Sequence, residues 1–175
     1  LYNQNPAGAI DPTPTVGMVG LVESPEHITT QWFKDEGDAV ILFGQAVNVD
    51  DPLLGLGGSA LLQTEHGCKE GTPPPCDLAK ESALHDALLG LIAAGSVKSA
   101  HDCAEGGLAV ALAECCISQL TARNTPRLTG ATIDLEGIDC ARLDALLFGE
   151  SHGRVIITTS EAQAGAAVER AKLLG

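Results

Sequence analysis

Aromatic side chains are nearly missing from this sequence: 3% of its 175 residues, with one Trp, one Tyr and three Phe. So few rings leave little for nucleobases to stack on. Basic residues are also few, 10 Lys and Arg against 23 Asp and Glu, for a net charge of −13. An acidic surface repels phosphate backbones, so general nucleic-acid binding is excluded on charge as well. No apolar run reaches the roughly 18 residues that a membrane-spanning helix needs. The six cysteines form no framework. Cys68 and Cys76 bracket a Pro-rich loop, Cys115 and Cys116 are adjacent, and Cys103 and Cys140 stand alone. Without a C-x-x-C or a Cys/His pair at zinc-finger spacing, they read as free thiols of a reducing cytoplasm. No G-K-[ST] follows the Gly-rich stretch and no G-x-S-x-G occurs, so neither a Walker loop nor a hydrolase elbow is present.

What remains is an apolar, glycine-rich globular sequence, 45% hydrophobic with 20 Gly. A chain of this size buries roughly 70% of its unfolded surface and needs no staple. It suits one α/β or α+β domain, or one domain with part of a neighbour. It starts at Leu1 with no basic or apolar leader segment, and Lys172-Leu173-Leu174-Gly175 closes it straight after a helical pattern. Both ends read as cut from a longer polypeptide.

Turn residues fill positions 1–15, and residues 16–22 read as a buried strand. A linker over 23–37 precedes a strand at 39–43. The Gly-rich loop 50–59 leads into a short helix from Ser59. Asp77 caps a helix carrying Leu84, Leu88, Leu91 and Ile92, which ends at Gly95. A strand over 97–100 precedes a helix over 106–120, buried through Leu108, Val110, Leu112 and Ile117. A loop from Arg123 leads to a strand at 131–135. A helix from Asp139 to Leu147, a strand at 154–159 and a helix at 161–174 follow. Such alternation predicts a sheet covered by helices.

Three turns carry polar groups in contexts that suit a ligand. Gly57-Gly58-Ser59 would let a backbone approach an anion at a helix start, although a plain tight turn looks the same. In Ser99-Ala100-His101-Asp102-Cys103-Ala104-Glu105-Gly106-Gly107-Leu108, Asp102 and Glu105 suit a metal or a hydroxyl. Gly106 and Gly107 would leave N–H groups free. The alternative there is an Asp cap with His101 satisfied within the fold. In Phe148-Gly149-Glu150-Ser151-His152-Gly153-Arg154, a carboxylate, a hydroxyl and an imidazole share one turn ahead of a strand. A solvated turn is the alternative, and Ser-His adjacency makes no triad.

Together with Leu1-Tyr2-Asn3 and Pro12-Thr13-Pro14-Thr15-Val16-Gly17-Met18-Val19-Gly20-Leu21, these strings occur in an order that resembles the phosphoribosylformylglycinamidine synthase family. That family is itself similar to aminoimidazole ribonucleotide (AIR) synthetase, and the resemblance covers nearly the whole chain. It implies an AIR synthetase C-terminal-domain-like fold of the α/β (α+β) class, a mixed sheet covered by helices. Residues 1–23 would close a preceding AIR synthetase N-terminal-like domain. Residues 24–175 would form the C-terminal-like domain of the second half, truncated at its end.

The activity implied is an ATP-dependent ligase of de novo purine biosynthesis. It converts formylglycinamide ribonucleotide, ATP and glutamine-derived ammonia to the formylglycinamidine ribonucleotide, ADP and phosphate. ATP and Mg²⁺ are the implied cofactors. The rest of the synthetase chain and a glutaminase are the implied partners, in the cytoplasm, without nucleic acid or membrane. Gly57, Gly58, Ser59, Gly106, Gly107, Glu150, Ser151 and His152 are the expected nucleotide or substrate contacts, and Asp102 and Glu105 the expected metal contacts. No catalytic residue is assigned, since the family's catalytic His lies in the first half. His152 stands where the family's catalytic half has Gln, a departure toward a structural role. A nucleotide-holding or bracing domain of that enzyme, or a sister ATP-dependent enzyme such as selenophosphate synthetase or thiamine-phosphate kinase, is the alternative.

Overall fold

The computed structural model describes residues 3–11, 13–120 and 126–174. Its elements in chain order are β1 (Asn3–Asn5), β2 (Gly8–Ile10), a 3-10 turn (Pro25–His27), β3 (Asp38–Gly44), α1 (Ala60–His66), α2 (Leu78–Ala93), β4 (Ser99–Asp102), α3 (Gly107–Cys115), β5 (Ile117–Leu120), β6 (Pro126–Leu128), α4 (Leu143–Phe148), β7 (Arg154–Ser160) and α5 (Glu161–Leu174).

Strand β7 is the centre. Its residues Arg154 to Thr159 are all buried, as suits a strand covered on both faces. β3 pairs with it antiparallel from Asp38↔Ser160 to Gly44↔Arg154, and β4 lies antiparallel on its other side. Among the described residues, the parallel element of the mixed sheet is a single bridge from Thr30 to Ser99 at the β4 edge. Alternation along the strands sends side chains to opposite faces. Ile156, Val40 and Leu42 join one core with Leu108, Ala111 and Cys115 of α3 and Leu146 of α4. Val155, Ile157, Ile41 and Phe43 join the other with Leu91 of α2 and Ala167 of α5. The result is a sheet between two helical layers, as the alternation predicts.

Local signals set the helix ends. Asp77 Oδ1 accepts from the N–H groups of Ala79 and Lys80 at 3.0 and 3.2 Å. At the far end of α2, Gly95 takes φ +67°. The Gly95 and Ser96 N–H groups then return to Ile92 and Leu91 carbonyls, a Schellman closure.

Several expectations are corrected. Residues 16–22 form no strand, and Val16, Met18, Val19 and Leu21 are all exposed. Their apolar pattern pairs with neither edge of the β3-β7-β4 sheet, and the bridge at the β4 edge is made by Thr30 instead. Residues 131–135 also form no strand, although Leu135 packs against the α3 core. The helix expected over 106–120 stops at Cys115, and Ile117 opens a hairpin strand instead. There the Cys115 and Cys116 carbonyls accept from Phe33 and Thr129, which draws them out of a continuing helix. Its buried face is Leu108, Ala111 and Cys115, at helical spacing, while Val110 and Ile117 are exposed. Arg142, not Asp139, precedes α4. The hairpin of β1 and β2 lies where turn residues predict loop. Leu1, Tyr2 and Pro12 of the N-terminal strings, and 123–125 of the loop expected from Arg123, lie outside the described residues.

Leu146 is fully buried and Val110 is exposed, so truncation should separate them. Leu146→Ala is expected to lower unfolding free energy by about 2–5 kcal/mol. Val110→Ala should change it by no more than about 0.5 kcal/mol. Urea denaturation of the two variants checks this; equal losses would contradict the assigned helix face.

Candidate functional site

The site begins with a buried carboxylate that sequence reading passed over. Asp51 is 1% exposed. Its Oδ1 accepts from Leu53 N at 2.9 Å and its Oδ2 from Gly55 N at 2.7 Å. Its carbonyl accepts from Leu54 N. These bonds wind the loop tightly, and Leu54 and Gly55 both take positive φ. A Cβ on Gly55 would stand 2.5 Å from Ser151 Oγ and 3.0 Å from Glu150 N. Glycine therefore lets the loop lie against the turn after α4, and Gly55 O accepts from Glu150 N at 2.8 Å.

A second buried charge holds that turn from below. Arg154, 3% exposed, donates from Nη1 to Gly149 O and from Nη2 to Leu146 O, both at 2.8 Å. These are carbonyls at the C-terminal end of α4, where a cation is favoured. Burial lowers the Arg154 pKa from its ordinary value. An arginine opening a buried apolar strand after Gly153 is the signal that could have revealed it.

The third turn closes from α3. Gly107 takes φ +72°, and a Cβ there would meet Gly149 O at 2.7 Å and Phe148 C at 2.8 Å. Glu150 then reaches both neighbours. Its Oε1 accepts from Ala60 N at 2.7 Å, at the start of α1, and from Gly106 N at 2.9 Å, at the start of α3. Ser59 assists at α1, its Oγ accepting from Leu62 N. One carboxylate thus joins all three motif turns. Short bonds from N–H to a charged oxygen are about twice as strong as neutral ones.

The structure separates the expected site residues into two groups. Asp102, Glu105, Glu150, Ser151 and His152 line a cavity of about 450 Å³, with Glu81 and His85 of α2 opposite. Gly57, Gly58, Ser59, Gly106 and Gly107 line neither that cavity nor a larger one of about 780 Å³ between α2 and α5, which meets it at His152 and Gly153. The expectation of free N–H groups is corrected. Gly106 N donates to Glu150, Gly107 N to Ala104 O, Gly58 N to Glu70 O and Ser59 N to Leu56 O. Asp102 and Glu105 are exposed, and among the described residues no group of three His, Cys, Asp or Glu could hold a metal ion. His101 lies between two acids, Nε2 2.7 Å from Glu114 Oε2 and Nδ1 3.5 Å from Asp102 Oδ1. It ties β4 to α3 within the fold. Ser151 Oγ is buried without a hydrogen-bond partner among the described residues.

Burial pushes the Cys103 thiol up to about 11, against the pull of the Arg154 charge, and the Cys115 thiol up to about 12. Neither is a ready nucleophile, since the thiolate is the reactive form.

A family model described as AIR synthase related protein, C-terminal domain, matches residues 35–174. The phosphoribosylformylglycinamidine synthase subunit PurL of Anaeromyxobacter dehalogenans is 40% identical over 177 residues, covering 100% of this chain and 22% of that protein. The subunit of the same name from Symbiobacterium thermophilum is 41% identical over 167 residues, covering 94% of this chain and 20% of its own. The chain therefore spans about a fifth of the length of these relatives. Among solved structures, T. maritima PurL complexed with FGAR is similar in fold, with a TM-score of 0.58 and 19% identity over 86% of this chain and 24% of that one.

Two outcomes follow from the geometry. Gly58 and Gly107 both have positive φ, but a Cβ on Gly58 meets nothing within 4 Å among the described residues. Gly58→Ala should cost about 1–2 kcal/mol of backbone strain. Gly107→Ala should cost at least about 2–3 kcal/mol, because backbone must also move. Denaturant titration checks the order; a reversed order would show that α3 does not rest on the 148–149 backbone. A thiol reagent at about pH 8 should label exposed Cys68 and Cys76 and spare Cys103 and Cys115 until unfolding. The stability from the two raised thiols is full below their ordinary value of 9.0 and is lost as pH rises toward about 11 and about 12.

Proposed function

We propose a function from one premise: this chain belongs to the family of AIR synthase related proteins, whose C-terminal domain it carries. It works as that domain in the second half of a longer ATP-dependent ligase, which makes formylglycinamidine ribonucleotide from formylglycinamide ribonucleotide, ATP and glutamine-derived ammonia. The reading is supported by likeness over the whole chain to relatives bearing the synthase name. The observation that carries it is at Glu150: three of the motif strings behind the likeness are the turns that this carboxylate joins. Residues 1–23 close the preceding domain, and residues 24–175 form the C-terminal-like one. A glutaminase supplies ammonia, and the location is cytoplasmic.

ATP supplies the phosphoryl group in such a reaction, and Mg²⁺ offsets its charge. The residues present do not fit either group alone. The N–H groups of Gly58, Ser59, Gly106 and Gly107 already have protein acceptors. Asp102 and Glu105 are two exposed carboxylates, short of a cation's ligand set. We place phosphate and metal binding in other parts of the longer protein. This chain braces that site and offers it a rim of Asp102, Glu105, Ser151 and His152 around the 450 Å³ cavity.

The test is ADP release in the full-length protein, dependent on both ammonia and formylglycinamide ribonucleotide. The full-length protein should turn over, and the 175-residue chain alone should not. A full-length protein without that activity overturns the ligase reading. Activity in the chain alone overturns the bracing role.

A further inference from the structure

We propose that Glu150 is the built-in anion of this domain. In the folded protein its carboxylate fills the position that Ala60 N and Gly106 N would offer to a phosphate oxygen, so these turns take no nucleotide phosphate.

Oε1 accepts from Ala60 N at 2.7 Å and from Gly106 N at 2.9 Å, distances of charge-assisted bonds. Glu150 is fixed on both sides. Its own N–H donates to Gly55 O at 2.8 Å, and the preceding carbonyl, Gly149 O, accepts from Arg154. The Gly58, Ser59 and Gly107 N–H groups offer no substitute, since each has an acceptor within the chain. A phosphate arriving here would displace an anion already bonded twice and enter beside Asp102 and Glu105. Like charges at close range disfavour that exchange. The ligand chemistry left to this domain is that of the cavity rim, carboxylates and imidazoles suited to cationic or hydroxyl groups rather than phosphate.

The test is thermal unfolding of the intact chain and its Glu150→Ala variant. Sodium chloride, sodium acetate and inorganic phosphate are compared at matched ionic strength. The unaltered chain should gain from acetate or phosphate only the small general effect of a kosmotropic salt. Glu150→Ala should melt about 6–20 °C lower in chloride, and acetate or phosphate should return several degrees of that loss. Three results overturn the proposal: an unaltered chain that gains from phosphate as much as the variant does, a variant that loses nothing, or a variant that responds to acetate no more than the unaltered chain. Should Glu150→Ala fail to fold, Glu150→Gln keeps an acceptor oxygen in place. It should fold and gain no more from acetate than the unaltered chain, and a larger gain would overturn the proposal equally. None of these readouts uses turnover, so failure of the ligase reading and failure of the self-filled anion site are told apart.

Discussion

One carboxylate oxygen, Glu150 Oε1, holds together backbone from three distant parts of the chain. It bonds the start of α1 and the start of α3, while the Glu150 N–H bonds the loop wound around Asp51. Each bond is ordinary in length. Their convergence matters because the paired strands β4 and β7 carry the turns before α3 and after α4, while α1 is joined to them through this carboxylate. A bond from an N–H to a charged acceptor contributes about 1.5–3 kcal/mol net. Two such bonds are a large part of the 5–15 kcal/mol typical of a folded domain.

The sheet makes this convergence possible. β7 is buried from Arg154 to Thr159, between an α3/α4 core and an α2/α5 core. Its first residue is the buried arginine that fixes the Gly149 carbonyl, so the strand that centres the fold also sets where Glu150 begins. On the second sheet edge, His101 ties β4 to α3 through Glu114. The sheet positions both turns that border the cavity, and Glu150 locks them to the glycine loop.

Much of the fold is legible in the sequence because local chemistry and tertiary packing agree there. Asp77 and Gly95 bound α2 by capping alone. The apolar run of β7 has no use except burial on both faces. The failures occur where a pattern needs a partner. Residues 16–22 and 131–135 are apolar enough for strands, but strand formation depends on an accepting edge, which a one-dimensional pattern does not contain. The helix expected to Leu120 ends early because Phe33 and Thr129 take carbonyls at its end, contacts distant in sequence. At the site, the polar turns were legible as turns. Their glycines read equally well as a phosphate cradle, and only the bonding of Glu150 distinguishes a cradle awaiting a ligand from one already filled. Asp51 and Arg154 escaped because a charged residue reads as surface until its burial is known.

Amide hydrogen exchange at Ala60 and Gly106 tests the central role of Glu150 most directly. Both N–H groups are far apart in sequence and share one acceptor atom. In the unaltered chain both should exchange slowly. In Glu150→Ala both should speed up together, and by more than the amides of the α2 interior, which follow only the global loss of stability. Fast exchange at either position in the unaltered chain, or acceleration at one position alone, would contradict a single carboxylate joining the turns.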